Sequence, residues 1–182
     1  MITLSIVSVV KNEEKFISEM IESVFTTSPK FITLEFIIID DGSTDSTYSI
    51  LKNKAMKYSE LKLYNNPEKG KVSATLMGLR YAKMEWLKFV DGDDFVDFSF
   101  LIEQHFDCDA FYHDYYRFSS LKKRKYLRRT SIALKKSPEL WNFNLRSIPK
   151  GMFFFKRGLF ADENLYQFNK FSYEDVFINF VI

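Results

Sequence analysis

The chain has 182 residues and a formal net charge of +2, and 46% of its side chains are hydrophobic, including 20 Phe and 10 Tyr. That apolar content excludes a disordered chain and suits one compact domain, while no apolar run approaches the roughly 18 to 20 residues that cross a bilayer. One cysteine, Cys108, excludes an internal disulfide framework, and with no signal-peptide pattern at the N-terminus a reducing cytoplasm is expected.

In chain order, residues 2–10 (ITLSIVSVV) are β-rich and almost continuously apolar, as befits a strand buried on both faces. The period then changes: Phe16, Ile17, Met20, Ile21, Val24 and Phe25 recur at helical spacing and predict a helix over 13–25. Residues 34–40 (LEFIIID) read as a second buried strand, ending at Asp41-Gly42-Ser43. A helix over 45–58 follows, with Ser43 or Thr44 as its N-cap. A short strand at 61–65, a helix near 73–83 after Gly70, and a strand at 86–91 (WLKFVD) complete an alternating series that stops at Asp91-Gly92-Asp93-Asp94. This alternation predicts an α/β fold with a mostly parallel sheet flanked by helices. Farther on, 97–106 reads as helical, 109–118 as one alternating strand, 151–156 as a strand and 174–181 as the start of a helix. Nothing marks a domain boundary, so residues 1–182 are taken as one domain with halves 1–94 and 95–182.

Charge is uneven: residues 1–100 carry 12 basic and 15 acidic side chains, and 101–182 carry 14 and 9. The excess comes mostly from Lys122, Lys123, Arg124, Lys125, Arg128 and Arg129, within a segment (119–137) read as a mobile loop or short helix. The cluster is either a solvated basic loop or a contact for anionic lipid headgroups or a phosphorylated acceptor. No nucleic-acid-binding module surrounds it, so no nucleic-acid partner is expected.

Three acidic clusters fall at strand ends or helix starts. Ligands of open parallel α/β sheets bind beyond the carboxyl ends of the strands, where strand order reverses. With the order 3-2-1-4, the loop Lys11-Asn12-Glu13 would lie beside Asp91-Gly92-Asp93, and strand two would deliver Asp40 and Asp41 to the same edge. Crowded carboxylates repel and call for a counter-charge, and hard oxygen ligands beside an open site suit Mg²⁺ or Mn²⁺. An ordinary surface Asp-Gly turn would read the same way locally, the 40–45 stretch could simply cap a helix, and Glu174-Asp175 could be a dipole-favoured helix start. Cys108 reads as a small buried hydrophobe, and His105 and His113 as structural or surface residues.

Taken together, Val9-Val10-Lys11-Asn12-Glu13-Glu14, Ile38-Ile39-Asp40-Asp41-Gly42-Ser43-Thr44-Asp45 and Phe89-Val90-Asp91-Gly92-Asp93-Asp94 resemble the family 2 glycosyltransferases, which have the GT-A (Rossmann-like) fold. The later stretch Gly151–Gly158, with Glu163-Asn164-Leu165 and Tyr173-Glu174-Asp175-Val176, resembles that family's acceptor-side segment, so the likeness covers nearly the whole chain. It implies an inverting transferase that moves a sugar from a nucleotide-diphosphate sugar to a hydroxyl of a bacterial surface-glycan or lipid-linked acceptor. Residues 1–94 would be the donor-binding half and 95–182 the acceptor-side half. Asp41 would contact the base, Val9, Lys11 and Glu13 would line its slot, Asp91 would serve the ribose and diphosphate, and Asp93 would ligate Mn²⁺ or Mg²⁺. Asp175 would be the general base, with Glu174 positioning it or the acceptor.

Two features depart from the family pattern. Thr75, Leu76 and Met77 stand where many relatives carry Arg or Asn, which leaves Lys69 or Lys71 to supply a polar contact. Relatives also continue well beyond Asp175, so this chain is expected to be a truncated core, peripheral on the inner face of a membrane through Lys122–Arg129. The rival readings are a catalytically silent nucleotide-sugar-binding module and a Mg²⁺-dependent phosphatase of the haloacid-dehalogenase type. In the latter the acidic motif normally ends the first strand, not the fourth.

Overall fold

Strand β1 (Ile2–Val10) runs through the middle of the sheet and is covered on both sides, as its continuous apolar character requires. The computed structural model describes residues 1–112, 117–119, 122–124 and 153–159. β1 pairs in parallel with β2 (Ile32–Asp40) from Ile2↔Ile32 to Val10↔Asp40, and on its other side with β4 (Trp86–Phe89) from Leu4↔Trp86 to Val7↔Phe89. β3 (Leu61–Asn65) extends the sheet beyond β2, again in parallel. The first four strands therefore take the expected order 3-2-1-4, and the direction of winding reverses between β1 and β4.

That reversal decides where the helices lie. Helices α1 (Ile17–Thr27) and α2 (Thr47–Lys57) connect strands stepping one way and share one face of the sheet. Helix α3 (Lys71–Tyr81) connects β3 back across to β4 and covers the other face, as right-handed crossovers demand. Leu4, Ile6 and Val10 pack with Ile17, Met20, Ile21 and Val24 on the first face; Val7, Ile37 and Ile39 pack with Ala74, Leu76 and Leu79 on the second.

Helix α3 reaches the sheet through Gly78, where an added Cβ would lie 2.4 Å from Val7 Cγ1. Gly78→Ala gains about 1 kcal/mol of helix propensity, but Val7 is β-branched and buried in the central strand, and such overpacking costs roughly 1–3 kcal/mol. The expected net result is a lower urea midpoint, restored when Val7→Ala is added to make room.

Two carboxylates hold the helices and loops to this frame. Glu35, 2% exposed in β2, accepts hydrogen bonds from Ser5 Oγ at 2.7 Å, the Lys83 N–H at 2.7 Å and Lys62 Nζ at 2.7 Å. Burial pushes its carboxyl up, yet the bonds from Lys62, Lys83 and Ser5 hold it below the usual range. Glu22 on α1 receives Lys54 and Lys57 of α2 and the Tyr58 hydroxyl, and these bonds pull its carboxyl down to about 2. A depressed carboxylate stabilises the fold above its unfolded value of about 4.3 and loses that contribution as pH falls through the folded value. Because Glu22 is one-third exposed, solvent screening keeps the effect under about 1 kcal/mol. Glu22→Gln is therefore expected to lower Tm at pH 7 and to match the wild type only below pH 2, once the folded carboxyl is protonated.

The second half of the sheet departs from expectation. β8 (Phe153–Lys156) inserts antiparallel between β4 and β5 (Ala110–Tyr112), giving the order β3-β2-β1-β4-β8-β5. The predicted helix over 97–106 is absent apart from a 3₁₀ turn at Glu103–Phe106. The Val96 and Phe98 N–H groups donate to Ser23 Oγ (3.2 Å) and Thr27 Oγ1 (3.0 Å), which straps this segment extended along α1. The single strand expected over 109–118 is instead β5 and a separate β6 (Arg117–Ser119). Within the segment expected to be a loop or short helix, β7 (Lys122–Arg124) pairs antiparallel with β6. The rest of the basic cluster, His113 and the helix expected at 174–181 lie outside the described residues. Cys108 is buried as expected, and burial pushes its thiol up. His105 is structural too: its Nδ1 accepts the Ile102 N–H, and its ring leans on Phe100 and Phe111. No helix among the described residues is long and apolar enough to cross a membrane.

Candidate functional site

The loops that leave β1 and β2 are laced together. Asn12, in the left-handed region at φ 57°, donates its N–H to Ser43 Oγ (3.0 Å) and accepts the Thr44 N–H on Oδ1 (2.8 Å). The Glu13 N–H donates to Thr47 Oγ1 (2.8 Å), and Glu14 Oε2 accepts the Ser46 N–H (3.0 Å). Ser43 and Thr44 are thus occupied across the loop rather than capping α2. That helix begins at Thr47, with Ser46 at the N-cap position and Asp45 Oδ1 accepting the Thr47 N–H at 2.9 Å. The same lacing delays α1 to Ile17 and leaves Phe16 46% exposed, off the apolar face assigned to it. Between the adjacent acidic residues, Asp40 Oδ2 accepts the Ser43 N–H and closes the turn, which Gly42 enters at φ 79°, a conformation natural to glycine.

Asp41 points the other way. Its Oδ1 accepts Asn66 Nδ2 at 2.6 Å and the Gly70 N–H at 2.7 Å, and Asn66 also donates to Gly70 O and Ser73 Oγ. The β2 end is thereby bolted to the loop that starts α3, and Lys71 is brought to the site.

From β4 the chain continues into Asp91–Asp94, closed by the Asp94 N–H donating to Asp91 O at 3.1 Å. Gly92 is buried against the opening loop: a Cβ there would lie 3.0 Å from both Glu13 Cγ and Val10 Cγ1. The acidic turn can approach the β1 end this closely because the residue at its centre has no side chain.

A cleft of about 300 Å³ results, lined by Val9, Val10, Lys11, Glu13, Asp41, Lys71, Asp91, Gly92 and Asp93. All six residues expected to meet a nucleotide or metal (Val9, Lys11, Glu13, Asp41, Asp91 and Asp93) line this one opening, and Asp40 does not. Glu174 and Asp175 lie outside the described residues.

Electrostatics reflect the convergence. Burial, then Asp93, Asp45 and Asp91, push the Glu13 carboxyl above its ordinary value. Asp94 reaches solvent, but crowding by the surrounding protein, then Asp91 and Asp93, push its carboxyl up to about 6 against the opposing pull of Lys88. Lys88 is fully buried in β4, and burial brings its ammonium down to about 7 although Asp94 and Asp91 favour the charged form.

Among the described residues, no three His, Cys, Asp or Glu side chains come together tightly enough to hold a metal unaided. The donor chemistry still fits Mg²⁺ or Mn²⁺, which take one or two carboxylates and complete their shell with water and substrate phosphates. Asp91 and Asp93 at an open cleft are such a pair.

Asn66 and Gly92 were not singled out in the sequence, because each acts through a partner distant along the chain. Lys71 was one of two alternatives, and the cleft contains it and not Lys69. Of Thr75, Leu76 and Met77, the first two are turned inward, at 0% and 4% exposed, Met77 is half-buried, and Thr75 Oγ1 donates to Lys71 O.

The model of the family described as "Glycosyl transferase family 2" matches residues 5–162. A poly(ribitol-phosphate) beta-glucosyltransferase of Bacillus spizizenii is 30% identical over 152 residues, covering 82% of this chain and 21% of that protein. An uncharacterized glycosyltransferase of Haemophilus influenzae is 32% identical over 110 residues, covering 56% and 43%. Among solved structures, S. aureus TarS (residues 1–349) superposes with a TM-score of 0.69 at 22% identity, covering 90% of this chain and 49% of that one. The mannosyltransferase PcManGT of Pyrobaculum calidifontis, in complex with GDP-Man and Mn²⁺, superposes at 0.56 with 19% identity, covering 86% and 45%. The chain spans less than half the length of each of these proteins. The structural likeness establishes the GT-A fold, and the family match leaves the phosphatase reading without support. This chain belongs to glycosyl transferase family 2.

Proposed function

We propose that the chain is the donor-binding core of an inverting, divalent-cation-dependent glycosyltransferase. It would transfer a sugar from a nucleotide-diphosphate sugar to a hydroxyl of a bacterial surface-glycan or lipid-linked acceptor. The observation that carries this reading is the single cleft joining residues 9–13, Asp41, Lys71 and 91–93 across the β1/β4 reversal. Supporting it, TarS has been crystallised with UDP and with UDP-GlcNAc and PcManGT with GDP-Man and Mn²⁺, and relatives include the poly(ribitol-phosphate) transferase and a minor teichoic acid biosynthesis protein of Bacillus subtilis.

In this reading Val9, Lys11 and Glu13 form one wall of the nucleotide slot. Asp41 receives the base, braced by its bonds to Asn66 and Gly70. Asp91 serves the ribose and diphosphate, Lys71 faces the same anion, and Asp93 would hold Mn²⁺ or Mg²⁺. When bound, that ion supplies Lewis-acid stabilisation to the departing nucleoside diphosphate. Asp175 takes the proton of the acceptor hydroxyl as its oxygen bonds to the anomeric carbon, with Glu174 positioning it. The bond to the diphosphate oxygen breaks on the opposite face, so the configuration inverts. The protein works at the cytoplasmic face of the membrane, where the Lys122–Arg129 cluster meets anionic headgroups.

The test is calorimetric titration of UDP, GDP, UDP-GlcNAc and GDP-mannose with Mn²⁺ or with EDTA, followed by transfer assays on lipid-linked acceptors. Selective binding that requires Mn²⁺ supports the reading. Binding without turnover on any acceptor would favour the silent module, and no binding at all would overturn both.

A further inference from the structure

The register of β2 and β3 sets Asn66 beside Asp41. Asp40 pairs with Asn65, and the Asn66 N–H continues the ladder by donating to Asp40 O at 2.8 Å. Strand alternation turns Asp41 to the face of Ile37 and Ile39, the face covered by α3. There the two polar side chains are almost closed off, Asp41 at 5% and Asn66 at 7% exposed. Such burial is tolerated only where hydrogen bonds replace water. The Asn66 amide is oriented by its partners: Asp41 Oδ1 and Gly70 O only accept, so its nitrogen faces both.

The two carboxylate oxygens of Asp41 are not equivalent. Oδ1 takes Asn66 Nδ2 at 2.6 Å and the Gly70 N–H at 2.7 Å, which engages both of its lone pairs. Among the described residues no group donates to Oδ2, and Oδ2 is not sealed from solvent. It is the oxygen that Asp41 presents to the cleft it lines. A ligand edge that reaches Asp41 therefore meets one available acceptor, not two.

We infer that Asn66 is a positioning residue for nucleotide selection: with Gly70 it occupies Asp41 Oδ1, leaves Oδ2 alone to read the nucleobase, and so favours uracil over guanine. The inference rests on the assignment of Asp41 to the base. Uracil offers one N–H, between two carbonyl groups, and a single acceptor satisfies it. Guanine offers two donors side by side, the ring N–H and the exocyclic amino group, spaced to fit both oxygens of one carboxylate. Against Asp41 the second guanine donor would enter the cleft with its acceptor already engaged. An unsatisfied donor weakens binding by roughly tenfold or more. Asn66 acts through the carboxylate and does not have to touch the base itself.

The test is titration of UDP and of GDP, each with Mn²⁺, into wild type, Asn66→Ala and Ser73→Ala. Ser73 bonds to the Asn66 amide and to Gly70 O but not to Asp41, so its variant reports the effect of loosening the loop alone. Wild type is expected to bind UDP at least about tenfold more tightly than GDP. Asn66→Ala releases one lone pair of Oδ1, so the preference for UDP should shrink by about tenfold, while Ser73→Ala should keep the wild-type ratio. Equal loss of both nucleotides in Asn66→Ala, or the same change of ratio in Ser73→Ala, would mark a loop effect and overturn the inference. So would a wild type that binds GDP as well as UDP. That result leaves the donor-binding reading intact, and it decides the matter even if Asn66→Ala does not fold. If neither nucleotide binds wild type, the proposed donor cleft falls and this inference falls with it.

Discussion

Asp93→Ala is expected to abolish cation-dependent sugar transfer, with a loss of at least about 100-fold, the scale seen when a charge-stabilising group is removed from a transferring centre. The reasoning starts from the short supply of ligands. With no ready-made set of three donors among the described residues, each cleft carboxylate supplies a large share of what the protein can offer a cation. Nucleotide affinity measured with Mn²⁺ should therefore fall in this variant to the value measured for wild type in EDTA. Retention of Mn²⁺-enhanced nucleotide binding by Asp93→Ala would move the metal ligand elsewhere, with Asp91 the next residue to test.

Asp175→Ala is expected to separate binding from turnover. Loss of a general base slows transfer by about 10²–10⁴-fold, while nucleotide and Mn²⁺ affinities should stay near wild type, because every residue assigned to the donor lies between Val9 and Asp93. Measuring kcat together with the nucleotide Kd distinguishes this from a structural defect, which would move both. Full transfer by Asp175→Ala would show that another group takes the proton. The contrast between the two variants, one losing binding and turnover and the other turnover alone, discriminates an enzyme from a silent binding module.

Much of the donor half was legible because its signals are local. An unbroken apolar strand over 2–10, a change to helical period after it, and Asp-Gly punctuation after the next two buried strands each follow from residues within one element. The 3-2-1-4 order was a supposition that the structure bears out; right-handed crossovers fix only which face each helix covers. Expectation failed where long-range bonds overrode local preference. Residues 97–106 have helical spacing, but the Ser23 and Thr27 hydroxyls on α1 capture the N–H groups of Val96 and Phe98 where that helix would start. Ser43 and Thr44 are good capping residues drawn off by Asn12, and no periodicity within 151–156 indicates that β8 will slip between β4 and β5.

By itself, then, the sequence determined the elements of the first half, the edge of the sheet at which chemistry-bearing residues gather, and six of the nine residues around the cleft. The elements and the sheet edge depend on periodicity and turn chemistry spanning a few residues, whereas the six cleft residues were assigned through the resemblance to family 2 glycosyltransferases. The tertiary structure alone decided that Gly92 admits the acidic turn against Glu13, that Asn66 bolts Asp41 to the α3 loop, that Lys71 rather than Lys69 enters the cleft, and that Lys88 is fully buried in β4. The widest of these pairings, Gly92 with Glu13, joins residues 79 positions apart. Distance, burial and hydrogen-bond geometry create them, and none exists until the sheet has assembled.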